Sequence, residues 1–415
     1  MNKKKIELLA PAGDLEKLKI AIDYGADAVY FAGALFGLRA GAKNFTIDEI
    51  KEGVAYAHSK GKKAHLTVNI FAHNEDIEQL RDYLAQIKEI PIDAFIVSDT
   101  GVFMLIREVL PHAEIHLSTQ ANTTNYKTAE FWYQQGVKRI VLARELSFEE
   151  IISLRNKLPE ALEIESFIHG AMCISYSGRC LLSNFMTERD ANRGACSHPC
   201  RWEYQLVEKQ RPGEYFPIEE DERGTYIMNS RDLCMIEHIP DMIESGLASA
   251  KIEGRMKSVF YVATIIGTYR KAIDAYYADP EGYVLNPQWL SELKKVSHRE
   301  FTTGFYYNKP TNADQNYDSS TYKRDYTFVG IVKSYDGGTQ LAVIEQRNKI
   351  SLGDEIEIFG PKTDFFSQKV EILLDEEGMP IESAPHAQQL LKIKVEQPVA
   401  ENFMVRKPKD ARPII

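Results

Sequence analysis

Short apolar runs alternate with amphipathic helical patterns through residues 1–280, and this alternation constrains the fold more than any other feature. Eight runs have the length and composition of buried strands, at 6–10, 28–32, 64–70, 94–98, 114–118, 139–143, 163–168 and 248–253. Helical patterns separate them, with capping boxes at Thr46/Glu49 and Ser147/Glu150. Eight strand–helix units predict a closed (β/α)8 barrel, since no Gly-x-Gly-x-x-Gly follows the first strand to support an open dinucleotide-binding sheet.

The rest of the chain changes character after a long final helical pattern at 258–278. Residues 281–326 are rich in Pro, Asn, Asp and Tyr, which predicts an ordered wrap and a linker. Residues 327–415 show short strand patterns with turn signals, which predict a small antiparallel β-barrel domain. The predicted domains are therefore 1–280 and 327–415.

Composition and charge indicate which partners and which cellular compartment the chain is suited to. It is 44% hydrophobic, 27% charged and carries a formal charge of −10, so RNA binding would need a local basic patch. No apolar run approaches the roughly 18 residues of a membrane span. An odd cysteine count and a Lys-rich start without a signal peptide favour a reducing, cytoplasmic environment.

Four of the five cysteines lie in the long predicted connection at 170–230, after the seventh strand: Cys173, Cys180, Cys196 and Cys200. Loops at this end of a barrel build active sites, and thiolates gathered on a polar loop favour a soft metal. The spacing fits neither a zinc ribbon nor a ferredoxin motif, so structural thiols and redox disulfides remain alternatives. Cys234 lies in a helix-like pattern facing the core and is a possible substitute ligand.

Charged residues also cluster at the predicted strand ends. Alternation places Lys251, Glu253 and Arg255 on one face of the eighth strand, which predicts either a ligand site or a salt-bridge layer inside the barrel. Arg144 and His169 follow two other strands toward the same mouth. A Cys173–His169 nucleophilic pair is conceivable, but four neighbouring cysteines favour a metal-binding role. No zinc-peptidase helix, serine-hydrolase elbow or P-loop motif is present.

The stretch from Glu165 to Ser183 has the pattern Glu-x-Phe-x-x-Gly-Ala-Met-Cys-x-x-x-x-Gly-x-Cys-Leu-Leu-Ser. It resembles the hallmark of the U-32 peptidase family, which includes proteins labelled collagenase-like proteases. Segments 7–13, 25–30, 228–232 and 251–255 match the same family. The resemblance covers essentially the whole chain and implies a C-terminal β-barrel similar to the second domain of translation elongation factors.

Within the family, Cys196-x-x-x-Cys200-Arg-Trp-Glu-Tyr resembles the tRNA hydroxylation branch. That resemblance implies an enzyme for 5-hydroxyuridine at the wobble position, a 4Fe–4S cluster, and prephenate as co-substrate. The implied ligands are Cys173, Cys180, Cys196 and Cys200; zinc is the alternative metal, and the extra Cys234 departs from the expected pattern. Peptide hydrolysis and a non-enzymatic RNA-binding or assembly role are the competing functions.

The resemblance and the charge pattern together predict roles for individual residues. Candidate catalytic residues are Glu165, His169, Lys251, Glu253 and Arg255. The two carboxylates of prephenate would be clamped by Arg144, Lys251 or Arg255. The tRNA would lie across Arg189, Arg193, Arg201 and residues 322–324, and a protein partner from the same family is a further expectation.

Overall fold

The computed structural model describes residues 5–34, 43–173, 175–177, 179–202, 231–309 and 322–409, with the backbone alone at 201, 205–207 and 215–217. The strands up to residue 252 are β1 (Glu7–Pro11), β2 (Ala28–Ala32), β3 (Lys63–Val68), β4 (Ala94–Val97), β5 (Ile115–Leu117), β6 (Arg139–Val141), β7 (Glu163–Ala171), β8 (Gln205–Val207), β9 (Tyr215–Pro217), β10 (Asp232–Cys234) and β11 (Ser249–Ile252). Strand β11 pairs in parallel with both β1 and β7, which closes an eight-stranded ring. The predicted (β/α)8 barrel is confirmed.

Helices begin at both predicted capping boxes and near the start of the predicted final helical pattern. The helices are α1 (Leu15–Asp23), α2 (Ile47–Ser59), α3 (Asn74–Ile87), α4 (Thr100–Val109), α5 (Tyr126–Gln134), α6 (Phe148–Arg155), α7 (Leu182–Thr187), α8 (Ile239–Glu244), α9 (Val259–Ala278) and α10 (Pro287–Lys294). Both predicted capping boxes form, each with reciprocal side-chain and backbone hydrogen bonds. Within the described residues, no helix has the length and apolar character needed to cross a membrane.

The connection after β7 differs from the prediction at its far end. Strand β7 continues past the barrel to Ala171, and β10 pairs antiparallel with this extension. The helix-like pattern around Cys234 is therefore a strand, and Cys234 lies opposite His169. The reason is tertiary, because the protruding edge of β7 offers backbone hydrogen bonds that a local helix would leave unused.

The remaining strands are β12 (Phe301–Thr302), β13 (Tyr326–Asp336), β14 (Leu341–Gln346), β15 (Ile350–Ser351), β16 (Glu355–Phe359), β17 (Phe366–Lys369), β18 (Leu373–Leu374), β19 (Ser383–Ala384), β20 (Leu390–Lys394) and β21 (Met404–Pro408). Seven of them form an antiparallel half-barrel in the order β17-β16-β21-β13-β14-β20-β18. This agrees with the predicted C-terminal β-fold. Its interior is apolar, with Val329, Ile344 and Ile393 fully buried.

The half-barrel packs on the α9 and α10 side of the (β/α)8 barrel. Phe260 of α9 stacks on Phe328, with ring centroids 5.3 Å apart. Arg406 is completely buried and forms ion pairs with Glu292 of α10 and Glu357, each at 2.7 Å. Because a buried arginine is costly to leave unpaired, these contacts fix the half-barrel in one orientation.

Candidate active site at the mouth of the barrel

The centre of the barrel holds a network of paired charges. Glu165 of β7 is completely buried and accepts hydrogen bonds from Lys251 at 2.9 Å and from Arg139 at 3.0 Å. Arg139 also pairs with Glu7 and, at 2.6 Å, with Glu163. Burial alone would raise the pKa of Glu165, but Lys251 and Arg139 lower it on balance. Glu165 and Lys251, both predicted to be catalytic, thus form the barrel-internal salt bridge that the sequence left open as an alternative.

Two histidines fill the neighbouring interior positions on β3 and β5. His65 and His116 pack edge to face, with ring centroids 4.9 Å apart, and both are buried. Burial, reinforced by nearby positive charge, lowers the pKa of His116 to about 3 and lowers that of His65 as well. Both imidazoles are therefore neutral at physiological pH.

Arg144 lies at the mouth of the barrel, three residues beyond the end of β6. Its guanidinium stacks on the Phe167 ring at 3.8 Å from the centroid, and Nη1 donates to the Ala171 carbonyl. Among the described residues, no carboxylate lies within ion-pair distance of Arg144, and its buried Nε has no hydrogen-bond partner. The guanidinium is held by an aromatic face and one carbonyl, so it retains donors for an anionic ligand.

Glu253 and Arg255 follow β11 at the same end of the barrel. The Tyr30 hydroxyl donates to Glu253 Oε2 at 3.3 Å, and Arg255 donates to Thr67 Oγ1 at 2.9 Å. Gly170 makes this arrangement possible, because its φ is +111° and an added Cβ would lie 2.7 Å from the Glu253 carbonyl oxygen. The structure therefore separates the predicted trio, with Lys251 inside the barrel and the other two at the mouth.

The cysteine-bearing segment, of which residues 172–173, 175–177 and 179–202 are described, lies across the mouth and is fastened at two points. Arg193 makes a bidentate ion pair with Asp76 at the start of α3, with distances of 2.8 and 2.9 Å. Arg179 donates to Asn122 Oδ1 at 2.9 Å, and Asn122 donates back to the Ser177 carbonyl. Asn122 follows β5 and Asp76 follows β3, so the segment spans the carboxyl ends of several strands.

Hydroxyl groups hold the two cysteine-bearing halves of this segment together. Ser183 and Thr187, one turn apart on α7, both hydrogen bond to the Ser197 hydroxyl, at 3.0 and 2.8 Å. Ser197 also donates its backbone N–H to Ser183 Oγ. Ser197, the residue after Cys196, is thereby tied to the helix that begins just after Cys180.

None of the four predicted ligand cysteines forms a disulfide, and none is buried. Their chemistry fits a soft metal or an iron–sulfur cluster, which binds thiolates. Within the described ranges, no three His, Cys, Asp or Glu side chains converge in a way that could hold a metal ion. The assignment of Cys173, Cys180, Cys196 and Cys200 as ligands therefore stays a prediction based on their donor chemistry and shared segment.

His169 and Cys234 lie behind the barrel wall rather than at the mouth. His169 is buried among the rings of Tyr261, Tyr269 and Phe301, and burial lowers its pKa to about 3. Cys234 lies 3.8 Å from the Tyr269 hydroxyl, and burial raises the pKa of its thiol to about 12. The exposed Cys173 is thus in a different environment from both.

The predicted RNA-contacting residues fall into different environments. Arg189 is exposed, whereas Arg193 is engaged with Asp76, and the side chain of Arg201 lies outside the described residues. Tyr322 is covered by Lys257, 3.9 Å from the ring centroid, and Lys323 pairs with Glu300. Asp76 and Asn122 could not be predicted from the sequence, because an acid in a helical first turn and a loop asparagine carry no distinctive local signal.

Comparisons with known proteins agree with this architecture. The family model of peptidase family U32 matches residues 13–316, and the model of its C-terminal domain matches residues 324–406. The chain is 47% identical to tRNA hydroxylation protein P1 of Bacillus subtilis, covering 98% of this chain and 96% of that protein. It is 40% identical to tRNA hydroxylation protein P of Escherichia coli (86% and 87% covered) and 34% identical to a collagenase of Porphyromonas gingivalis (89% and 90%). The chain therefore belongs to peptidase family U32.

Proposed function

We propose that this chain is a tRNA-modifying enzyme that contributes to 5-hydroxylation of the wobble uridine. The observation that carries the proposal is the four-cysteine segment fastened across the barrel mouth beside Arg144. Two relatives similar over most of the chain bear the name tRNA hydroxylation protein, which supports the same substrate class here.

In this proposal the four cysteines hold an iron–sulfur cluster of the 4Fe–4S type, which would supply redox chemistry at the mouth. Cys173, Cys180, Cys196 and Cys200 are the ligands, and zinc is the alternative metal. Cys234 is excluded from the proposed ligand set, because a buried thiol with a raised pKa disfavours the thiolate that a metal needs.

Prephenate is the proposed co-substrate, and Arg144 is the residue proposed to bind one of its carboxylates. Lys251 already neutralises Glu165, so it is a poor second clamp. Arg255 donates to Thr67 and is buried deeper in the mouth, where the second carboxylate would meet a polar wall. Of the three alternatives that the sequence offered for the clamp, the proposal therefore keeps Arg144 and Arg255.

The test combines spectroscopy with analysis of tRNA nucleosides. Protein purified without oxygen should be brown and contain about four irons per chain, and Cys196→Ala should lose both properties while Cys234→Ala keeps them. In cells lacking the native gene, the wild-type chain should restore 5-hydroxyuridine in tRNA, and the Cys196→Ala variant should not. A colourless wild-type protein would sink the cluster assignment, and unrestored tRNA would sink the function.

Peptide hydrolysis is the rival function, since one relative is named a collagenase. A thiol peptidase would need an imidazole beside its nucleophile. His169 is enclosed by aromatic rings while Cys173 is exposed, so this pair offers no support for it. Hydrolysis of gelatin or a peptide by purified protein, abolished in Cys173→Ala, would favour the peptidase over the proposed function.

A further inference from the structure

An exposed apolar face lies on α7, within the cysteine-bearing segment. Leu181 and Phe185 are one turn apart, since the Phe185 N–H donates to the Leu181 carbonyl at 2.9 Å. Their exposed fractions are 69% and 85%, the latter high for a phenylalanine in a folded domain. Ser183 and Thr187 occupy the opposite face and bind Ser197, so the helix is anchored with its apolar face outward.

The segment that carries this face has a net charge opposite in sign to that of the whole chain. Residues 173–202 contain four arginines and two acids, a net charge of +2 in a chain of net charge −10. Arg179 and Arg189 are both exposed on the segment, as are the aromatic side chains of Tyr176 and Trp202. Arginines interspersed with exposed aromatic rings are typical of surfaces that bind single-stranded nucleic acid.

We infer that the Phe185 ring, on the apolar face that it shares with Leu181, is a stacking platform for an unpaired base of an RNA loop. The inference rests on the proposed function and specifies how its substrate is held. A base that is stacked inside an RNA duplex cannot reach the mouth of the barrel, so the target base must come from an unpaired loop. The other bases of that loop lose their stacking partners and need a protein surface on which to stack. Two side chains are too small an area for a stable protein interface, which needs about 1,200 Å² or more, but they suit one base.

The experiment measures the affinity of the full chain for two RNAs of equal charge: a hairpin with an unpaired loop, and a blunt duplex. Phe185→Ala should weaken hairpin binding roughly 5- to 150-fold, the range for loss of one stacked base, with no change in the salt dependence of binding. Duplex affinity should not change. Phe185→Trp, which keeps an aromatic face, should bind the hairpin as the wild type does.

Two further variants separate stacking from other effects. Phe131→Ala removes an exposed phenylalanine from α5, outside the segment, and should leave hairpin affinity unchanged. Phe185→Leu keeps an apolar side chain without a ring and should bind as weakly as Phe185→Ala. Because Phe185 is so exposed, the three Phe185 variants should keep the urea midpoint of unfolding of the wild type.

Several outcomes would overturn the inference. Wild-type hairpin affinity in Phe185→Ala, or full affinity in Phe185→Leu, would rule out stacking. Unchanged RNA binding together with altered self-association in sedimentation would assign the face to a protein contact. If the wild-type chain binds neither RNA, the proposed function itself fails, whereas duplex binding with no effect at Phe185 would overturn the platform alone.

Discussion

The interior and the mouth of the barrel each hold an arginine, and the two are stabilised in different ways. Arg139 inside the barrel is surrounded by three carboxylates, from Glu7, Glu163 and Glu165. Arg144 at the mouth has an aromatic ring and a carbonyl instead, with no carboxylate of the described residues in ion-pair range. A charge already paired by the fold contributes to stability, whereas one held beside an opening by an aromatic ring and a carbonyl is suited to bind an anionic ligand.

The largest expected effect comes from breaking the interior pairing. Glu165→Gln leaves Lys251 and Arg139 facing a neutral amide, and removing one partner of a buried pair costs about 3–5 kcal/mol. Urea unfolding monitored by circular dichroism should show this loss. Glu89→Gln, at a side chain 87% exposed, is the matched control and should change stability by less than about 0.5 kcal/mol. Equal effects in the two variants would refute the structural role of Glu165.

The mouth should behave in the opposite way. Arg144→Gln should cost only about 1–2 kcal/mol of stability, from the lost stack on Phe167, but weaken binding of prephenate by about 1.5–3 kcal/mol, because a charge-assisted hydrogen bond is lost. Isothermal titration calorimetry measures the affinity. Arg144→Lys should restore little of the affinity for prephenate, since an ammonium group cannot reproduce the bidentate hydrogen bonds of a guanidinium stacked on Phe167. Full affinity in Arg144→Gln would remove Arg144 from the proposed clamp.

A third test uses pH to probe the interior. His116 stays neutral in the folded state down to about pH 3, whereas an unfolded histidine takes up a proton near pH 6.5. Stability should therefore fall as the pH drops from about 6.5 toward 3, by about 1.4 kcal/mol per pH unit for this residue. His116→Asn should reduce that slope by the contribution of one proton, about 1.4 kcal/mol per pH unit. An unchanged slope, measured by urea unfolding at several pH values, would contradict the neutral state of His116.

The smallest effect should come from releasing the cysteine-bearing segment. The hydrogen bonds of Arg193 lower the pKa of Asp76 and tie the segment to α3. Arg193→Gln should cost only about 1 kcal/mol of global stability, since the pair is partly exposed. Hydrogen exchange of residues 179–202 should nevertheless become faster, whereas Arg189→Gln should leave it unchanged. Equal exchange in both variants would mean that Arg193 does not hold the segment.

Much of the fold could be predicted from the sequence because it depends on local periodicity. The eight barrel strands, the two capping boxes and the long final helix all lie within a few residues of their predicted positions. Alternation also correctly placed Lys251 on the inner face of β11. Its partner Glu165 is 86 residues away in the chain, and no local pattern identifies such a distant pairing.

The position of His169 shows where local alternation fails. Strict alternation along β7 would turn Glu165, Phe167 and His169 to the same side. The pairing with β11 shifts between Lys251 and Ile252, so that Ile252 lies opposite His169. One irregularity of this kind reverses the facing of every later residue, which directs His169 toward the aromatic rings of α9. Which side chains of β7 face the barrel interior therefore depends on a register that only the three-dimensional structure reveals.

The pairing of β7 with β10 has a consequence for how this barrel can change over time. The chain leaves the barrel at Ala171 and returns at Asp232, and these two residues lie opposite each other where β7 pairs with β10. The connection between them begins and ends at the same point of the barrel, so its length and sequence can vary without moving a barrel strand. In a barrel of this design the whole connection can be replaced as one unit, which changes the chemistry at the mouth, while the buried ion pairs of the interior continue to stabilise the barrel.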